Sequence, residues 1–207
     1  MQSSEAAKDV HERQHSTECG RTGRVWPVFF MPASKLILDG PAIQRALTRI
    51  AHEINERNAD PAAVALVGIQ RGGVHVARRL AALLQQIWGR PVPVGILDVT
   101  MHRDDLHQQL APEVHPTEIP FDPNDKTLVL VDDVVFHGRT IRAALDALID
   151  FGRPARIQLA ALIDRGHREL PIKPDFVGKN LPTELADRVI VKLAEADGED
   201  GVYLEKP

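Results

Sequence analysis

Two short apolar stretches, Val64–Ile69 and Thr127–Val131, constrain the fold of this chain more than any other feature. Runs this short are strand-length, and because they do not alternate with polar residues they belong in a sheet covered on both faces. Each is followed by a glycine-bearing loop and then a helical pattern. The first passes through Gln70-Arg71-Gly72-Gly73 into a helix over about Val74–Ile87, with Ala77, Leu80, Ala81 and Leu84 inward. The second ends in Asp132-Asp133 and leads to a helix after Thr140, with Ile141, Ala144, Leu145, Leu148 and Ile149 on one side. An earlier helix is capped by Asp39 or Gly40 and takes Pro41 in its first turn. It places Ile43, Ala46, Leu47, Ile50, Ala51 and Ile54 on one face. Leu36–Leu38, Val92–Val99, Ile157–Ile163 and Val189–Leu193 read as the other strands. Strands separated by single helices pair in parallel through crossovers. The expected fold is therefore α/β: a single domain with a mainly parallel central sheet flanked by helices.

The flanking segments read differently. Residues 1–34 show no periodicity and are expected to be a disordered N-terminal extension to a domain over 35–207, with Met31 placed as a fresh start would be. Met101–Asn124 is polar and rich in His and Pro, an excursion rather than core. Lys plus Arg is 25 against 29 for Asp plus Glu, which excludes a protein that grips nucleic acid by bulk charge. Seven acids and three bases lie between Glu184 and Pro207, so residues 1–183 carry 22 of each and a local basic patch stays open. Cys19 is the single cysteine, no apolar run is long enough to span a membrane, and Gln2–Glu12 lacks a basic-then-apolar leader. The expected setting is the reduced cytoplasm, with no membrane partner.

The strongest chemical signal is Leu128-Val129-Leu130-Val131-Asp132-Asp133-Val134-Val135-Phe136-His137-Gly138-Arg139-Thr140. In open α/β sheets, ligands bind outside the carboxyl ends of strands. The helix start after Gly138 suits a phosphate, and Arg139 adds a cation if it points inward. Two adjacent carboxylates beside a phosphate repel it unless they face hydroxyls or a metal, and a sugar phosphate resolves the conflict. The plainer alternative is that one Asp caps the helix while the other is solvated.

This segment resembles the PRPP loop of type I phosphoribosyltransferases, and more closely that of the PyrR family, whose members combine regulation of pyrimidine-operon attenuation with uracil phosphoribosyltransferase activity. The likeness runs from about Leu36 to Glu205. It includes Ala46-Leu47-Thr48-Arg49-Ile50-Ala51-His52-Glu53, His102-Arg103-Asp104-Asp105-Leu106, Gly152-Arg153-Pro154, Asp164-Arg165-Gly166-His167-Arg168-Glu169-Leu170-Pro171-Ile172 and Gly178-Lys179-Asn180-Leu181-Pro182-Thr183. The resemblance implies a type I phosphoribosyltransferase fold with a flexible loop and a hood. It implies that Asp132 and Asp133 hold the ribose of PRPP or UMP, and that Val134, Val135, Phe136, His137, Gly138, Arg139 and Thr140 hold the 5′-phosphate. Gln70, Arg71 and Gly72 then meet the pyrophosphate with Mg²⁺, which is bound through PRPP. Arg103 belongs to the closing loop, and Phe176 and Val177 border the base, although a core role for the Phe176 ring is equally open. Three positions depart from the family: His137 stands where a Thr hydroxyl usually donates to the 5′-phosphate, His102 where Tyr is common, and Lys173 where Arg is common.

On the first helix, Arg45, Thr48, Arg49 and His52 recur opposite the apolar stripe. Such a face, taken alone, is more readily a solvated surface than an RNA one. The resemblance assigns Thr48, Arg49, His52, Arg57, His167, Arg168, Lys173 and Lys179 to binding the leader mRNA of pyrimidine genes, and implies a homo-oligomer, dimeric or larger. The nine histidines show no zinc spacing. Two rival readings stay open: a phosphoribosyltransferase without an RNA role, and a nucleotide-sensing RNA-binding regulator with little catalysis.

Overall fold

The computed structural model describes residues 34–102 and 114–207. Along the chain run β1 (Ser34–Asp39), α1 (Gly40–Arg57), β2 (Val64–Ile69), α2 (Gly72–Trp88), β3 (Val94–Leu97), β4 (Thr127–Val135), α3 (Arg139–Ile149), β5 (Arg156–Asp164), β6 (Phe176–Asn180), β7 (Arg188–Lys192), α4 (Ala194–Asp197) and β8 (Gly201–Glu205). Five strands form one sheet in the order β3-β2-β4-β5-β6, every neighbour parallel. A second sheet of three antiparallel strands has the order β1-β8-β7.

The unbroken apolar strands are explained by what lies on each side. Val64 and Leu66 of β2 and Val129 and Val131 of β4 pack with the α1 and α2 residues Leu47, Ile50, Ala77 and Leu80. The intervening Ala65, Val67, Leu128 and Leu130 pack with Ile141, Ala144 and Leu148 of α3. Side chains alternate across the pleat, so a strand sandwiched between helices must be apolar at every position. Asp39 caps α1 by accepting the Ala42 N–H at 2.8 Å, and the stripe read from the sequence is buried at Ile43, Leu47, Ile50, Ala51 and Ile54.

Some elements differ from expectation. The strand expected over Val92–Val99 is confined to Val94–Leu97. Asp98 ends it by accepting the Thr100 N–H at 2.7 Å, which turns the chain. The acidic tail contains β8 and is tied to the body. Arg79 of α2 makes paired bonds to Glu195 at 2.8 and 2.6 Å and to Asp200 at 2.9 and 2.7 Å, while Lys192 meets Glu199 at 2.7 Å. Those hydrogen bonds raise the Arg79 pKa and lower those of Glu195 and Asp200 against the effect of burial. No described helix is long and apolar enough to cross a membrane.

Candidate active site

The site forms where the order of the strands reverses, between β2 and β4. α2 covers one face and α3 the other, and the ends of their leading strands, β2 and β4, are neighbours. In such sheets this switch point is where a ligand finds a crevice. Asp132, 6% exposed, and Asp133 stand on β4 just before its last two residues, so the strand expected to stop at Val131 continues through the acids. The Asp133 N–H donates to Asp132 Oδ1 at 3.0 Å, and the Val134 N–H to Asp133 Oδ1 at 3.0 Å. Burial pushes the Asp133 carboxyl up, outweighing the hydrogen bonds with Asp132 and Val134 that favour its charged form.

The β2 loop presses directly against these acids. A Cβ on Gly72 would lie 2.3 Å from Asp133 Oδ2, and one on Gly73 would lie 2.3 Å from the Val131 carbonyl oxygen. Both positions need glycine because the backbone of one loop touches the other. Gln70 is half-buried and Arg71, at the start of α2, is exposed; the peptide between them is cis.

Beyond the acids, Gly138 has φ +94° and opens α3 without a side-chain cap. A cavity of about 150 Å³ is bordered by Asp132, Val134–Thr140 and Ile141. That is about half the smallest volume usual for a whole small-molecule site, so it suits one group of a larger ligand. A helix N-terminus with this opening attracts an anion. The His137 ring stacks on Phe136 at 3.5 Å, and its Nε2 lies 3.7 Å from Glu169. Arg139 turns to the same carboxylate, with Nε 2.7 Å from Glu169 Oε2.

A second cavity of about 400 Å³ lies at the ends of β5 and β6, among Asp164, Arg165, His167, Asn180, Leu181 and Thr183. Arg165 had no role in the sequence reading, yet its guanidinium lies 3.8 Å from the Phe136 ring centroid and bonds Thr183 Oγ1 at 3.2 Å and the Glu184 carbonyl at 3.1 Å. Of the two roles open to Phe176, base wall and core, the structure shows the core. Phe176 is 2% exposed and faces the α1 side of the core, because β6 pairs with β5 in a register that turns this ring inward. The carbonyls of its neighbours Val177 and Gly178 accept from Arg49 Nη2 at 2.8 and 2.6 Å.

The residues expected to meet RNA fall on two surfaces. Thr48, Arg49, His52 and Arg57 lie along α1, which packs against the edge strand β6 carrying exposed Lys179. Arg49 also bonds Glu53 at 2.6 Å, the Thr48 hydroxyl donates to the Gln44 carbonyl, and Arg57 pairs with Asp175 at 3.1 Å. His167, Arg168 and Lys173 lie between β5 and β6; His167 and Lys173 are exposed. Arg103 lies outside the described residues.

A parallel sheet with paired acids beside a glycine loop and a glycine-opened helix defines a phosphoribosyltransferase. Residues 34–194 match the family described as the phosphoribosyl transferase domain. The hypoxanthine phosphoribosyltransferase of Trypanosoma cruzi has the same fold: 17% identity, TM-score 0.62, covering 84% of this chain and 97% of that one. A hypoxanthine-guanine phosphoribosyltransferase from Bacillus anthracis covers 84% of this chain and 99% of its own at TM-score 0.63 and 14% identity. Among sequences, the Bifunctional protein PyrR of Roseiflexus sp. is 63% identical over 172 residues, covering 82% of this chain and 94% of the relative. That of Bacillus pumilus is 56% identical over 177 residues, covering 84% and 98%. The chain belongs to the PyrR family.

Proposed function

We infer that this chain is a pyrimidine-responsive attenuation regulator that binds leader mRNA in a UMP-dependent way, and a uracil phosphoribosyltransferase that makes UMP and pyrophosphate from uracil and PRPP. The observation that carries the enzymatic half is the pair Asp132 and Asp133 set between the Gly72 loop and the glycine-opened start of α3. It offers acceptors for two ribose hydroxyls and, on the same loop, a seat for the 5′-phosphate. The uracil N1 forms a bond to the ribose C1 as the bond from that carbon to pyrophosphate breaks, and the N1 proton leaves with the released pyrophosphate. Positive charge grows on the ribose, where carboxylates favour it, and negative charge leaves toward Arg71. Most of the rate then comes from holding the two reactants in line.

Mg²⁺ would arrive with PRPP and neutralise the departing pyrophosphate. The ion would be held through PRPP, and the neighbouring carboxylates of Asp132 and Asp133 fit the presence of such a hard cation. Among the described residues no three His, Cys, Asp or Glu side chains gather, as a cage built wholly of protein would need. The base takes the cavity between Arg165 and Asn180, at the far end of β6 from Phe176 and Val177. The α1–β6 surface with Arg49, His52 and Lys179, and the turn with His167 and Lys173, are the surfaces offered to RNA. The protein works in the cytoplasm as a homo-oligomer.

Turnover with uracil, PRPP and Mg²⁺, and none with hypoxanthine or guanine, is the expected result. Leader RNA should bind more tightly with UMP present. Turnover with a purine base instead of uracil refutes the substrate assignment, and equally weak binding of all RNAs at moderate salt refutes the regulatory half.

A further inference from the structure

The segment Arg165–Ile172 forms the outer wall of the phosphate loop. Its backbone is bonded to that loop at three points: the Arg165 N–H donates to the Val135 carbonyl at 3.1 Å, and the Glu169 and Leu170 N–H groups to the His137 carbonyl at 3.1 and 3.3 Å. A Cβ on Gly138 would meet Leu170 and Ile172 at 3.5 Å, so the wall also fixes the space around the helix start.

One side chain fastens this wall from within. Arg168 Nε donates to the Ile172 carbonyl at 2.9 Å, and Nη1 reaches the carbonyls of Phe136, Val135 and Gly166. Nη2 lies 2.7 Å from Asp164 Oδ1, in a pair whose side chains are 20% and 14% exposed. The guanidinium thus grips the phosphate loop at Val135 and Phe136, the end of β5 at Asp164, and both ends of the outer turn. Only a planar fork with several N–H groups can join carbonyls lying in different directions; an ammonium cannot. An Arg that merely met RNA phosphates would point these donors outward.

We propose that Arg168 is a positioning residue for the 5′-phosphate subsite, holding the Val135–Gly138 loop in its anion-binding shape, and is not a direct RNA contact. The inference rests on the phosphoribosyltransferase reading of the same site. The 5′-phosphate takes no part in the bond changes, so its seat contributes equally to the ground and transition states. Losing that seat therefore raises KM for PRPP and leaves kcat.

The test uses the full chain with Arg168→Ala and Arg168→Lys. KM and kcat for PRPP are measured with uracil and Mg²⁺, UMP affinity by calorimetry, and leader RNA affinity with and without UMP. Arg168→Ala should raise KM for PRPP and Kd for UMP by about tenfold or more, with kcat and UMP-free RNA affinity within about threefold. Arg168→Lys, able to pair with Asp164 but not to span the carbonyls, should fall between. If Arg168→Ala does not fold, Asp164→Asn/Arg168→Ala removes the stranded carboxylate and should show the same split. Unchanged KM and UMP affinity in a folded variant overturn the proposal, and a fall of about tenfold in UMP-free RNA affinity beside them makes Arg168 an RNA contact. Wild-type protein with neither turnover nor UMP binding overturns the underlying reading, and this inference with it.

Discussion

Replacing Gly72 with alanine tests whether contact between the β2 loop and Asp133 sets the ribose site. An alanine in the first turn of α2 should by itself stabilise by about 0.4–1 kcal/mol, through the lost freedom of the unfolded chain. The new methyl carbon would instead lie 2.3 Å from Asp133 Oδ2 and 2.6 Å from its Cγ, more than about 1 Å inside the optimal 3.5–4.0 Å carbon separation. The carboxylate must rotate away or the loop must lift. Overpacking of this kind costs about 1–3 kcal/mol. After the alanine gain, a net loss of up to about 2.6 kcal/mol should lower Tm by up to about 10 °C. Catalysis should suffer more, because a displacement of about 1 Å in a positioning group costs up to about 100-fold. Gly73→Ala separates the two effects. Its methyl would meet the Val131 carbonyl oxygen at 2.3 Å, a backbone atom that cannot rotate aside, so stability should fall further. Thermal melts and uracil turnover of both variants provide the comparison. A Gly72→Ala protein with raised Tm and wild-type kcat/KM refutes the contact as the determinant of the site.

Asp133→Asn should abolish turnover yet raise Tm. Burial lifts the folded Asp133 pKa, so its ionised form destabilises the fold above the ordinary carboxylate range, and a neutral amide of the same shape removes that cost, by about 0.5–2 kcal/mol on a melt at neutral pH. His137→Thr, which restores the family's hydroxyl, should lower KM for PRPP; an unchanged or higher value excludes His137 as the weak point of this phosphate seat. Asp98 accepts the N–H groups of Thr100 and His115, and although burial pushes its carboxyl up, bonds from Thr100 and His115 outweigh that and hold it low. Its stabilisation is therefore present above the unfolded value of about 3.9 and is lost as pH falls through the lower folded value. Asp98→Asn should accordingly flatten the acid limb of the Tm–pH curve below about pH 4, and a limb as steep as wild type refutes the assignment.

Elements of the sheet were legible wherever local pattern and tertiary demand agree. β2 and the Leu128–Val131 stretch of β4 are unbroken by polar residues because helices cover both faces, and α1 shows its stripe because its other side meets water. β8 was hidden because Gly201–Glu205 sits among acids. Nothing local reveals that Glu195 and Asp200 are held by Arg79, more than a hundred residues earlier. Phe176 stayed undecided for the same reason. An aromatic residue near a nucleotide motif can be a stacking wall or core, and the choice depends on the strand register against β5.

The cations show most clearly where sequence reasoning stops. Helical spacing correctly placed Arg49 and His52 on the exposed side of α1. It could not tell which cations already have a protein partner, because those partners are backbone carbonyls and carboxylates brought close by the fold. Arg49 holds the edge strand through Val177 and Gly178, 128 and 129 residues away, Arg57 holds Asp175, and Arg168 is inside the phosphate-loop wall. A pattern of Lys, Arg and His thus marks where cations lie, and only the acceptors around them separate a surface that awaits a polyanion from a brace. Lys173 and Lys179 remain exposed, whereas Arg168 is largely enclosed by its own acceptors, so substitutions at these positions should not act alike. On the proposed RNA surface, Lys179→Ala should weaken RNA binding nearly uniformly across sequences, with a reduced salt slope. Removing Arg168 deforms the nucleotide seat, and should act on RNA only through UMP.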